Sequence, residues 1–123
     1  MTTTMPPKPT FRRGDVVLVN FPNADLTTAK TRPALVIQAN DLQTGLPQII
    51  VAMITSQMFR SGHPSRVTIR LNSPVGKQSG LLSDSVVMTD NLATITISAL
   101  YRVIGTVPTT DVDPALKHTL NLP

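Results

Sequence analysis

The chain has 123 residues, 41% of them hydrophobic, enough to bury the core of one domain. It contains no cysteine, which excludes disulfides and thiolate metal sites, and no apolar run long enough to span a bilayer as a helix. Eleven Lys and Arg face seven Asp and no Glu, for a net charge of +4, a balance that suits a polyanionic partner.

Residues 1–10 are rich in Thr and Pro and lack the apolar core of a signal peptide. They read as a disordered lead before a single domain over 11–123. The absence of cysteine suits a reducing cytoplasm, the expected location. From there the chain is a series of short β-rich runs separated by turn residues. Gly14 to Phe21 is the first strand, and a loop follows from Pro22 to Thr31. Pro33 to Gln38 is the second, with the proline at its start, where a missing N–H does least harm. Asn40 to Pro47 is rich in turn formers. Gln48 to Thr55 is a continuous apolar run that fits a strand buried on both faces.

Arg66 to Leu71 alternates, with Val67, Ile69 and Leu71 on one side and Arg66, Thr68 and Arg70 on the other. This strand is expected to carry a basic outer face. Asn72 to Leu82 reads as loop and Ser85 to Asp90 as a strand. Leu92 to Leu100 fits either an extended run or a short helical turn. Tyr101 to Val107 is the last strand. A terminal helix is expected with Asp113 as N-cap, Pro114 in the first position, and an apolar stripe of Val112, Leu116 and Leu120. The expected fold is mainly β: a small, mainly antiparallel β-barrel closed by one short C-terminal helix.

Few residues carry chemistry. His63 and His118 lie in different elements, and no Asp or His cluster has ligand spacing, so neither a metal nor a cofactor is expected. The two histidines have the chemistry of an acid–base pair, but isolated surface histidines are more commonly just solvated. There is no phosphate-binding glycine loop and no nucleophile elbow. Phe59, beside Arg60, is placed either to stack on a base or to anchor its loop. Arg32 opens the second strand and Thr55 ends the third. If these strands are antiparallel neighbours, the two residues meet at one edge of the sheet.

Gly14-Asp15-Val16-Val17 and then Arg32-Pro33-Ala34-Leu35-Val36-Ile37 resemble the opening of the MazF/PemK toxin family. Ala52-Met53-Ile54-Thr55-Ser56-Gln57 resembles its second motif. Asp84-Ser85-Val86 with Asp90-Asn91-Leu92 resembles its third. The similarity runs from Phe11 to Leu122. The resemblance implies an SH3-like barrel, a homodimer, a small antitoxin partner, and metal-independent endoribonuclease action on single-stranded RNA. In that chemistry the ribose 2′-OH attacks the adjacent phosphorus, leaving a cyclic phosphate and a 5′-OH. The resemblance makes Arg32 and Thr55 the catalytic pair. Lys30, Ser56, Gln57, Phe59 and Asp90 are the expected substrate contacts, Asp90 either accepting the 2′-OH proton or bonding a base edge, or else only stabilising the turn into Asn91-Leu92. Arg32 suits charge stabilisation, because its planar donor fork matches phosphate oxygens. Some members carry a second arginine two residues before the acidic residue of the third motif; here that position is Met88. This leaves water, Arg32 or Lys30 as proton donor. The alternative reading is a non-catalytic module that inhibits a protein target, such as a topoisomerase, through the terminal helix. An antitoxin is expected over Arg66, Arg70 and Arg32.

Overall fold

The computed structural model describes residues 11–22 and 29–123; the Thr/Pro-rich lead and most of the first loop lie outside the described residues. Strand β1 (Asp15–Pro22) and strand β2 (Ala29–Val36) form an antiparallel hairpin. Strands β3 (Gln48–Thr55), β4 (Arg66–Ile69), β5 (Ser85–Thr96) and β6 (Leu100–Thr106) complete one antiparallel sheet. Its order is β4-β5-β3-β2-β1-β6. Helix α1 (Pro74–Ser79) follows β4, and helix α2 (Thr109–Leu120) ends the fold.

The central strands are buried on both faces, which is why they read as continuous apolar runs rather than alternating ones. Val16, Leu35 and Ala52 belong to one core cluster; their chain neighbours Val17, Ala34 and Val51 belong to the other. The first cluster is covered by Val112 of α2.

The mainly β class holds, but the sheet is not closed: β4 and β6 are not hydrogen-bonded to each other. Helix α1 packs against β6 at this seam. Gln78 Nε2 donates to Thr106 Oγ1 at 2.7 Å. Gly80 caps α1 in the left-handed region, at φ 74°. A Cβ on Gly80 would strike the Ile104 carbonyl, and one on Gly105 the Ser79 carbonyl. Backbone here rests on backbone, a contact only glycine allows.

Four expectations shift. The span expected as loop over Asn72–Leu82 contains α1. Its signals are local: Ser73 accepts a hydrogen bond from the Gly76 N–H at 3.0 Å, and Pro74 occupies the first turn. Strand β2 begins at Ala29 rather than Pro33, because Asn20, Phe21 and Pro22 continue the hairpin opposite Thr31, Lys30 and Ala29. Strand β5 runs on to Thr96, and the ambiguous segment is both things: strand, then a 3-10 turn over Ile97–Ala99.

Helix α2 starts at Thr109, so Asp113 is not its N-cap and Pro114 is interior. Burying Val112, 1% exposed, draws the preceding turn onto the sheet. Pro114 is tolerated because the missing N–H would have bonded the Thr110 carbonyl, and both residues are exposed. Asp113 instead accepts from Arg13 Nη2 at 2.6 Å. The buried pair is Val112 with Ala115; Leu120, expected in the stripe, is 48% exposed.

Candidate active site

The site begins with a proline. Ile37 donates its N–H to the Ile50 carbonyl at 3.1 Å, and Val36 accepts from the Gly14 N–H at 2.8 Å. Backbone groups alternate along a strand, so residues 37, 35 and 33 turn theirs toward β3 and residue 36 toward β1. The next bond in the β2–β3 ladder would come from residue 33. Pro33 has no N–H to give. Pairing between the two strands accordingly stops at Ala34–Met53. Beyond that point a groove of about 1000 Å³ opens, lined on one side by Lys30 to Pro33 and on the other by Met53 to Gln57.

Continuing the Ala34–Met53 register outward by two residues sets Arg32 opposite Thr55. Period-two alternation places both on the face that carries Ala34, Val36 and Val51. The two residues thus flank the mouth of the split. The Thr55 hydroxyl accepts from the Gln57 N–H at 3.1 Å, which fixes its oxygen and leaves its proton free to donate. Lys30, Ser56 and Gln57 line the same groove.

Phe59 is not among the lining residues. It sits in a 3-10 turn over Met58–Arg60 and is 81% exposed, so it anchors nothing in the core. The Arg60 guanidinium lies 5.5 Å from its ring centroid, and Arg60 Nε donates to Gln57 Oε1 at 3.1 Å. Met88 lines the groove and is 6% exposed, so the thioether sits inside the wall.

Asp90 is also absent from the lining. It belongs to a three-residue excess in β5, since Ala52 pairs with Leu92 while Met53 pairs with Met88. Asp90 accepts from Arg66 Nη2 at 2.9 Å and from Nε at 3.4 Å. That hydrogen bonding holds its carboxyl below the ordinary value of 3.8, which makes it a weaker proton acceptor. Asp84 is held low as well, first by the Leu71 N–H and then by Arg70. The basic outer face expected over Arg66–Leu71 is therefore neutralised by Asp90 of β5 and by Asp84 just before it, and neither Arg66 nor Arg70 lines the groove. The two arginines expected to meet an antitoxin together with Arg32 thus stand outside the groove that Arg32 lines.

Among the lining residues that sequence reasoning did not assign to the site are Arg60, Asn91 and Arg102. The last sits on β6, and nothing local marks it, because β6 reaches the groove only through the strand order. Among the described residues the lining holds four cations, Lys30, Arg32, Arg60 and Arg102, and no carboxylate or histidine. His63 and His118, far apart in sequence, come within 6.2 Å between ring centroids, edge to face, but outside this groove. Among the described residues no group of three His, Cys, Asp or Glu could hold a metal ion.

Comparison with known proteins places the fold. The Mycobacterium tuberculosis toxin MazF-mt6 superposes with a TM-score of 0.68 at 24% identity, covering 89% of this chain and 98% of that one. An endoribonuclease in complex with its cognate antitoxin from Mycobacterial species gives 0.70 at 20% identity, covering 93% and 98%. MazE-MazF (form II) from Deinococcus radiodurans gives 0.70 at 21% identity, covering 94% and 100%. A family model described as "PemK-like, MazF-like toxin of type II toxin-antitoxin system" matches residues 12–120. The chain therefore belongs to the PemK-like, MazF-like toxins of type II toxin–antitoxin systems.

Proposed function

We propose that this toxin is a metal-independent, sequence-specific endoribonuclease that cleaves single-stranded RNA in the groove opened at Pro33. The observation that carries this reading is the groove itself. It has Arg32 and Thr55 on its two sides beyond the end of the ladder, and its described lining is cationic with no compensating acid.

The protein need not supply a nucleophile. The ribose 2′-OH attacks the adjacent phosphorus, the P–O5′ bond breaks, and the products are a 2′,3′-cyclic phosphate and a 5′-OH. Negative charge gathers on the non-bridging oxygens as the fifth bond forms. The guanidinium of Arg32 offers two parallel donors to those oxygens, and the Thr55 hydroxyl adds a third. Donors aimed at developing charge contribute about 10²–10³-fold each. Water takes the 2′ proton, and Lys30, the lysine of the lining, or a second water returns one to the 5′ oxygen. Asp90 is a structural partner of Arg66 in this scheme rather than the base.

The toxin works in the cytoplasm, where its RNA is. Its antitoxin presents carboxylates to the groove cations as a segment that orders on binding. Two copies assemble through the β6 edge, where Ile97, Tyr101 and Val103 are exposed apolar residues.

The test is to map 5′ ends on a long unstructured RNA incubated with chelator and either the wild type or Arg32→Ala. Discrete 5′-OH ends with the wild type, and their loss in the variant at unchanged melting temperature, are expected. No cleavage by the wild type overturns the reading. Inhibition of a protein target that depends on α2 and not on Arg32 would replace it with the non-catalytic one.

A further inference from the structure

We infer that Arg102 is a second phosphate-binding residue, holding a backbone phosphate of the RNA other than the scissile one; this rests on the endoribonuclease reading above. Three observations lead to it.

The first is position. Leu18 of β1 pairs with Pro33 on one side and with Arg102 on the other. Residues directly opposite one another across strands share a face. Pro33, Leu18 and Arg102 thus form one row, and all three line the groove. Two strand spacings, roughly 10 Å, separate the Arg102 backbone from that of Pro33. Arg32 belongs to the opposite face of β2, so the two guanidinium groups enter the groove from different walls. They are placed to grip successive points of one strand rather than a single phosphate.

The second is charge compensation. Arg13, Arg66 and Arg70 each pair with an aspartate, at 2.6, 2.9 and 3.3 Å. Arg102 has no such partner among the described residues; the lining residues placed beside it, Leu18 across from it and Ile104 along β6, are apolar, and the described lining holds no acid. A cation set among neutral groups at a groove wall, with no acid beside it, keeps its field for an incoming anion.

The third is the composition of the opposite wall. Met88 occupies the β5 side with a thioether and brings no charge. A strand of RNA held by Arg32 at one point can rotate about that point. A second permanent cation with a planar fork fixes its direction through the groove.

The experiment measures binding of an unstructured RNA that contains the mapped cleavage site with a 2′-deoxy nucleotide there, by anisotropy across about 50 to 200 mM salt. Arg102→Ala should weaken binding about 5- to 10-fold and reduce the salt slope by about 0.7, the share of one phosphate on a single strand. Arg102→Lys should restore the slope, and Lys117→Ala, which removes a charge on α2, should leave it unchanged. Cleavage at saturating RNA should fall far less in Arg102→Ala than in Arg32→Ala. If Arg102→Ala binds with wild-type affinity and slope while the wild type cleaves, the Arg102 site is overturned and the nuclease reading stands. If Lys117→Ala loses as much as Arg102→Ala, the effect is general charge and the site is likewise overturned. A wild type that neither binds nor cleaves removes both.

Discussion

Two edges of this molecule carry arginines, and they differ in what surrounds the charge. At the β4–β5 edge, Arg66 and Arg70 sit opposite Asp90 and Asp84 and are satisfied within the fold. At the β2–β3 split, Lys30 and Arg32 line a groove whose described wall has no acid. Both edges look basic in sequence, and the first looks more so, since Arg66 and Arg70 alternate cleanly on one strand. Counting positive residues does not tell the two edges apart. What separates them is compensation: an exposed ion pair spends its field locally, and an uncompensated cluster projects it into solvent.

The sharpest way to break this comparison is to remove one arginine from each edge. Arg32→Ala should lower single-turnover RNA cleavage by about 10²–10³-fold with little change in thermal midpoint. A fall of less than about tenfold would mean that Arg32 is not aimed at the developing charge. Next in size is the hinge of the groove itself. Pro33→Ala restores an N–H facing the Ile54 carbonyl and lets the ladder extend toward Arg32 and Thr55. The regained hydrogen bond contributes about 0.5–1.5 kcal/mol, and the loss of the proline ring costs about 0.4–1 kcal/mol through the unfolded chain. Stability should therefore stay close to wild type while cleavage falls. Protection of the amide gained at position 33, with slowed exchange at its neighbours, would mark the extended ladder, and an unprotected amide there would refute it.

Arg66→Ala should behave in the opposite sense to Arg32→Ala. Cleavage should stay near wild type, and urea denaturation should show a loss of about 1 kcal/mol or less, because the pair is partly exposed. Loss of cleavage at this site would erase the distinction between the edges. The smallest effect is that of acid. The Asp90 and Asp84 carboxyls are both held below their ordinary value of 3.8. In the folded chain they stay ionised to lower pH than in the unfolded one. Their contribution is therefore fully present above the ordinary value and is lost as pH falls through the depressed folded values. The denaturation midpoint should drop as pH falls below about 4, and the Asp84→Asn/Asp90→Asn double variant should drop less steeply.

Much of the fold was legible because the signals are local. Alternation and apolar runs located six strands, and Arg66 to Ile69 kept its predicted pattern of faces. Helix α1 was not legible: Asn72–Leu82 read as loop, because six residues are too few for a periodic stripe. The start of α2 was not. Asp113-Pro114 is a good local start signal, and it was overridden by the burial of Val112 on a sheet that the local sequence does not reveal.

The candidate site divides in the same way. The sequence by itself determined that Arg32 stands just before Pro33, that Thr55 ends an apolar strand, that Pro33 lacks a donor, and that Met88 brings no charge. Each of these is a property of one residue and its nearest neighbours along the chain. Only the tertiary structure decided that Pro33 points its missing N–H at β3, and so that the ladder opens into a groove. It also decided that Asp90 is engaged by Arg66, and that Arg102 reaches the groove while Phe59 does not line it. These depend on strand order and register, which are set by how both faces of the sheet are buried and not by any segment alone.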